Sequence, residues 1–133
     1  MPLQPKTTTF EAPKNILASE HFVVLPQGIT IDHDTVPSGD DGTYTLLAGT
    51  RMGKITSGGK YGPYDSTAKD GREVGKGLLM YDVRVQDPLT LVLADGFGSL
   101  LIHGFVKTEV LPTVLANQIH ATFAAFVPAI VFV

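Results

Sequence analysis

Turn-forming residues set the tightest limit on what this chain can fold into. Fourteen glycines and nine prolines are spread through 133 residues, and only 17% of the residues are charged. Such a chain favours short strands joined by tight turns over long solvated helices. From residue 16 onward the sequence reads that way. His21 to Leu25 and Ile29 to Ile31 are strand-like on either side of Pro26-Gln27-Gly28. Residues 32–42, with Asp32, Asp34, Asp40 and Asp41, form a polar, acidic loop. Tyr44 to Ala48 and Met52 to Thr56 follow as strands, and Ser57-Gly58-Gly59 marks a hairpin before Lys60-Tyr61. Residues 62–77 are irregular. Leu78 to Val85 alternates, with Leu79, Tyr81, Val83 and Val85 on one face and Met80, Asp82 and Arg84 on the other. That period of two predicts one half-buried strand. Leu91 to Ala94 and Leu100 to Val106 flank Asp95-Gly96-Phe97-Gly98, which is read as the turn of an antiparallel hairpin.

The two ends differ from this pattern. Pro112 suits the first turn of a helix, and Val114, Leu115, Ile119, Thr122, Phe123 and Phe126 recur near helical spacing until Pro128 stops it. Ala129 to Val133 is apolar and β-branched, a final strand that something must cover. Residues 1–15 hold three prolines, three threonines and scattered apolar groups, too few to offset the entropy of ordering. They are expected to form an extended arm. Leu3 and Phe10 in such an arm gain a use only when a partner covers them.

The remaining composition narrows the function. An apolar fraction of 44% belongs to a folded chain, and 133 residues fit one domain, residues 16–133 behind the arm. A net charge of −3 gives no basic footprint for nucleic acid. The chain has no cysteine, so disulfides, thiolate metal sites and a cysteine nucleophile are excluded. His21, His33, His103 and His120 include no local pair at zinc-ligand spacing. The most apolar stretch, residues 119–133, is too short to span a bilayer, and residues 1–10 lack a signal core. Cytoplasmic synthesis with no membrane or nucleic-acid partner is the expectation.

No motif carries catalysis. Gly49-Thr50-Arg51-Met52-Gly53-Lys54 has a P-loop flavour, but its glycines are too close and Ile55 replaces the required hydroxyl. Asp32-His33-Asp34 offers oxygen ligands without EF-hand spacing, and a solvated acidic loop is the plainer reading. His103 and His120 are read as satisfied, partly buried side chains. Lys54, Lys60, Lys69, Arg72 and Lys76 make the middle of the chain locally basic. They form either a solvated face or a surface that steers an acidic partner.

Residues 48–65 read A-G-T-R-M-G-K-I-T-S-G-G-K-Y-G-P-Y-D, and residues 66–83 read S-T-A-K-D-G-R-E-V-G-K-G-L-L-M-Y-D-V. The ordered succession of A-G-T, G-K-I, a Gly-Lys-Tyr hairpin, a proline-tyrosine-aspartate step, a D-G turn and a glycine-led strand resembles the lambda-type phage head decoration family, the capsid cement proteins. Gly49, Gly53, Gly58, Gly59, Gly71, Gly75 and Gly77 are read as allowing tight turns between strands. Arg51 stands where an apolar group is expected.

The resemblance implies a homotrimer on the outer surface of the virion, bound to the major capsid protein at three-fold and quasi-three-fold positions of the expanded shell. It implies reinforcement against packed-DNA pressure, with no catalysis, cofactor or metal. An arm that orders on the capsid is also a family trait. Here Thr7, Thr8 and Thr9 would suit strand addition, with Leu3 and Phe10 filling apolar pockets. The expected fold is α+β and mainly β: a small barrel-like or irregular antiparallel sheet, one C-terminal helix and an extended N-terminal arm. Two other classes stay open. A virion-surface module for host or glycan recognition would show clustered aromatics. A small β-barrel enzyme would show converging carboxylates or histidines in a pocket.

Overall fold

Among the described residues, eight of the ten strands belong to one sheet, and the other two pair with each other. The computed structural model describes residues 15–38, 42–87, 89–112 and 120–133. The strands are β1 (Leu17–Val24), β2 (Ile29–Ile31), β3 (Thr45–Leu46), β4 (Arg51–Lys54), β5 (Tyr61–Pro63), β6 (Gly75–Leu79), β7 (Val83–Arg84), β8 (Gly96–Gly98), β9 (Leu100–Val106) and β10 (Ile130–Phe132). Helix α1 spans His120–Phe126, and single 3-10 turns lie at His33–Thr35 and Thr108–Val110. The large sheet runs β1-β9-β6-β4-β5-β2-β8, with β10 also on β9, while β3 pairs with β7. Pairing is mostly antiparallel, and the two parallel pairs are β2 with β5 and β10 with β9. The protein is mainly β with one helix near the C-terminus, as its composition predicts.

Chain connectivity forces the sheet to curl. β8 ends at Gly98 and β9 begins at Leu100, yet they stand near opposite ends of the strand order. One intervening residue spans only about 7 Å. Both ends of the sheet therefore come together at Ser99, whose carbonyl accepts from Met80 N–H at 2.9 Å. A hairpin joining residues 91–94 to 100–106 is thereby ruled out. Gly96–Gly98 is a strand against β2, not a turn, with Ile29 opposite Gly98 and Ile31 opposite Gly96. Leu93 makes only an isolated bridge to Gln86.

The curl gives the sheet two buried faces. One core holds Ile16, Ala48, Tyr64, Leu78, Met80, Leu101, Val106, Phe123, Val127 and Ile130. The other holds Ile29, Ile31, Val36, Leu46, Met52, Tyr61, Leu79, Val83, Val85 and Leu100. Neighbours Leu78 and Leu79 enter different cores, as do Leu100 and Leu101. A strand covered on both sides has no polar face. The single half-buried strand expected over residues 78–85 is therefore two: β6 ends at Leu79, Tyr81 is exposed, and β7 begins at Val83 in the small sheet. Asp82 holds the junction, its Oδ1 accepting from Ala48 N–H at 2.6 Å.

Helix α1 lies on β6. A Cβ on Gly75 would stand 2.6 Å from the ring of the fully buried Phe123, so that glycine exists for close packing rather than for a turn. Gly53 and Gly77 likewise sit within strands, while Gly49, Gly58, Gly59 and Gly71 have the positive φ that a turn reading predicts. The expected helix residues Val114, Leu115 and Ile119 lie outside the described residues. Within α1, Phe123 is buried, while Thr122 and Phe126 are exposed.

Candidate interaction surface

The arm residues Leu3, Thr7, Thr8, Thr9 and Phe10 lie outside the described residues. The point from which they depart is well defined. Ile16 is buried, its carbonyl accepts from Lys107 N–H at 2.8 Å, and Asn15 Oδ1 accepts from Leu17 N–H at 2.9 Å. From there β1 runs along the margin of the sheet, and residues 18–23 are exposed. An exposed edge strand offers unpaired backbone donors and acceptors to another chain.

Several large apolar groups are exposed, among them Phe97 on β8 and two local groups. On the outer side of the β1-β9-β10 region, Val23 pairs with His103 and Phe105 with Val131, and all three apolar members are exposed. At the far end of the small sheet, the segment after Gln86 turns back on itself, with Asp87 N–H bonded to Val92 O and Leu91 N–H to Asp87 O. The Asp87 carboxylate caps this loop, accepting from Leu89 N–H at 2.8 Å and Thr90 N–H at 3.3 Å. Those two amides, Leu89's first, hold its pKa below the usual carboxylate range. The tip projects Leu89 (91% exposed), Leu91 and Val92 into solvent. Leu91 has φ +59°, a left-handed backbone that a bulky side chain rarely adopts. The strand expected from Leu91 is absent: Leu91 lies in this loop. Asp87 followed by Pro88 was the turn signal that could have corrected that expectation.

Charged groups tie separate elements of the fold together. Asp95 is clasped by Lys60 Nζ at 2.6 Å and His33 Nδ1 at 2.7 Å, and it also accepts from His33 N–H. Hydrogen bonds from Lys60 and then His33 press the Asp95 pKa far down, and the same contacts raise those of His33 and Lys60. The clamp ties the start of β8 to the 3-10 turn and to the β4–β5 hairpin. Asp32, His33 and Asp95 together resemble a cation site, but Lys60 already supplies the positive charge that Asp95 needs.

Arg51 is only 5% exposed, with its guanidinium directed at His120 Nδ1 and the Pro112 carbonyl. This is how a cation occupies the position where an apolar residue is expected. His120 is a satisfied acceptor, as read from sequence, and His103 contacts His21. Of the basic run, Lys60 pairs with Asp95 and Arg72 with Asp70. Lys54 and Lys76 border a shallow depression whose carboxylate, Glu73, accepts from Gly71 N–H.

Residues 11–96 match the family described as bacteriophage lambda head decoration protein D. The chain belongs to that family. No curated protein and no solved structure matches it significantly. The decoration-protein match reaches well beyond the residues 48–83 that carry the visible resemblance. It takes in residues 11–16, β1 through β7 and the Asp87 loop, and it closes at Gly96. The ion-pair clamp thus falls inside the decoration-protein region, whereas β9, α1 and β10 complete its main core from outside it.

Proposed function

We propose that the protein decorates the outside of a phage head, binding the major capsid protein of the expanded shell as a homotrimer at three-fold and quasi-three-fold positions. The observation that carries this reading is the family match over residues 11–96. Residues 16–133 act as one domain, and residues 1–15 are the arm that engages the capsid. Thr7, Thr8 and Thr9 add a strand to a capsid sheet edge, and Leu3 and Phe10 fill apolar pockets beside it. The firm anchorage of Ile16 supports a role for the arm, because a tether transmits force only from a fixed point. The apolar tip at Leu89, Leu91 and Val92 is a second contact.

Reinforcement follows from linkage. A ligand that binds only the expanded lattice stabilises it by about 2.7 kcal/mol per site at a hundredfold excess over Kd. A trimer gripping three neighbouring subunits keeps each weak arm at high effective concentration beside its target. This role is structural and requires no catalysis. Co-sedimentation with undecorated heads of the parent phage tests it. Saturable binding to expanded shells and none to unexpanded proheads is expected, and deletion of residues 2–15 weakens that binding while leaving the fold intact. Absence of binding to either shell overturns the proposal.

A further inference from the structure

His21 on β1 and His103 on β9 are 82 positions apart in the chain, yet their Nε2 atoms lie 2.9 Å apart, with the rings nearly perpendicular. The register pairs Val23, not His21, with His103, so the two imidazoles meet diagonally across the strand pair. The contact is on the exposed side of the sheet, within reach of solvent. In this contact one Nε2 carries a hydrogen and the other accepts it.

We propose that His21 and His103 form a two-imidazole site for a first-row transition-metal dication of the zinc–copper–nickel group. The ring that carries its hydrogen on Nε2 would shift it through water to its own Nδ1, so that both neutral rings turn an Nε2 lone pair to the ion, and water would complete the coordination. Three observations carry this. The first is separation: two nitrogens each about 2.0–2.1 Å from one ion, at square-planar to tetrahedral angles, stand about 2.9–3.4 Å apart. The observed distance falls at the short end of that range without any backbone movement. The second is ligand chemistry, since imidazole is the donor this group of metals prefers over carboxylate-binding Mg²⁺ or Ca²⁺. The third is access, because the open side of the sheet leaves room for the remaining water ligands.

An ion there joins the margin strand to β9 just beyond the anchorage of the arm at Ile16. Binding to the folded chain alone raises its stability with the logarithm of ion concentration once that exceeds Kd. The site is independent of the decoration role, and its test needs no capsid.

The experiment titrates the full-length protein with Zn²⁺ by calorimetry at neutral pH and then loads one equivalent of Cu²⁺ for electron paramagnetic resonance. Wild type is expected to bind one ion per chain, with two equatorial imidazole nitrogens on Cu²⁺ and a raised thermal midpoint in Zn²⁺. His21→Ala and His103→Ala should each weaken binding at least tenfold and leave one nitrogen or none. His33→Gln, which alters the separate Asp32–His33–Asp95 cluster, should bind as wild type does. Unchanged affinity in His21→Ala and His103→Ala overturns the proposal, as does loss of binding in His33→Gln alone. Circular dichroism of the two alanine variants checks that an exposed substitution has left the sheet intact.

Discussion

The Arg51 guanidinium and the His120 imidazole meet through one nitrogen: Nδ1 accepts from Nη2 at 2.8 Å and from Nε at 3.2 Å. Arginine can only donate, so His120 must be neutral with its hydrogen on Nε2. The pair links β4 to α1 with a buried cation that has no carboxylate partner among the described residues. Burial and then the adjacent Arg51 charge lower the His120 pKa below the usual 6.5, and burial lowers that of Arg51.

A pH dependence follows. A histidine with a depressed folded pKa takes up its proton more readily when unfolded, so folding is favoured above pH 6.5 and loses this contribution as pH falls below it. His33 acts in the opposite sense. Its pKa is raised, chiefly by the Asp95 hydrogen bond, so its contribution is complete below 6.5 and is lost as pH rises through the folded value. Urea midpoints between pH 5 and 8 should therefore fall more steeply toward acid in His33→Gln than in wild type. They should flatten in His120→Gln. Identical slopes in all three proteins would rule out both assignments.

Truncating His120 removes the acceptor and leaves the guanidinium unpaired. His120→Ala is expected to cost about 2–3 kcal/mol by denaturant unfolding at pH 7.5. Replacing the cation instead removes the demand for an acceptor, so Arg51→Met should cost less than His120→Ala.

The packing of α1 against β6 gives a coupled pair. A Cβ on Gly75 would press into the Phe123 ring, so Gly75→Ala should destabilise by about 1–3 kcal/mol. Shortening the ring makes room: in a double-mutant cycle, Phe123→Leu should reduce the added cost of Gly75→Ala. Strict additivity would mean that the helix shifts without resistance.

Tyr64 is fully buried, with its ring 5.3 Å from that of Phe123, and its hydroxyl has no hydrogen-bond partner among the described residues. Burial raises its pKa, as it should for a phenol held in its neutral form. Tyr64→Phe keeps the ring contact and removes the orphaned oxygen. Stability equal to wild type or higher by about 1 kcal/mol is expected, and a loss above that would reveal a hydrogen bond to the hydroxyl.

Local chemistry was legible where it acts alone. Ile29–Ile31, the hairpin at Ser57-Gly58-Gly59 and the final strand after Pro128 all lie where turn residues and β-branched runs place them. Long-range closure was not. The step from β8 to β9 through Ser99 depends on the whole sheet curling, so residues 91–106 imitated a hairpin. Leu78-Leu79-Met80 looked like part of an alternating strand because burial on two faces leaves no polar positions to mark its end. The family block was visible from its turns, yet Gly53, Gly75 and Gly77 proved to serve close packing. Arg51 stands out of place in the sequence, but its partner His120 is 69 residues away and no spacing announces it.

The loop after β7 spends stability on its shape. Leu91 holds φ +59° while its side chain is exposed, so no core packing offsets the strain. Asp87 maintains that geometry through the Leu89 and Thr90 amides. Strain kept at an apolar, exposed tip points to a surface shaped for a partner. Leu91→Gly accepts the left-handed backbone freely and should keep wild-type stability or exceed it. The same variant loses the exposed leucine, so its association with expanded shells should weaken severalfold. Asp87→Ala should weaken association as well, by releasing the loop while Leu89, Leu91 and Val92 remain. Co-sedimentation beside thermal unfolding separates the two effects. If Leu91→Gly binds shells as tightly as wild type, the tip is no contact surface, and the strain at Leu91 belongs to the fold alone.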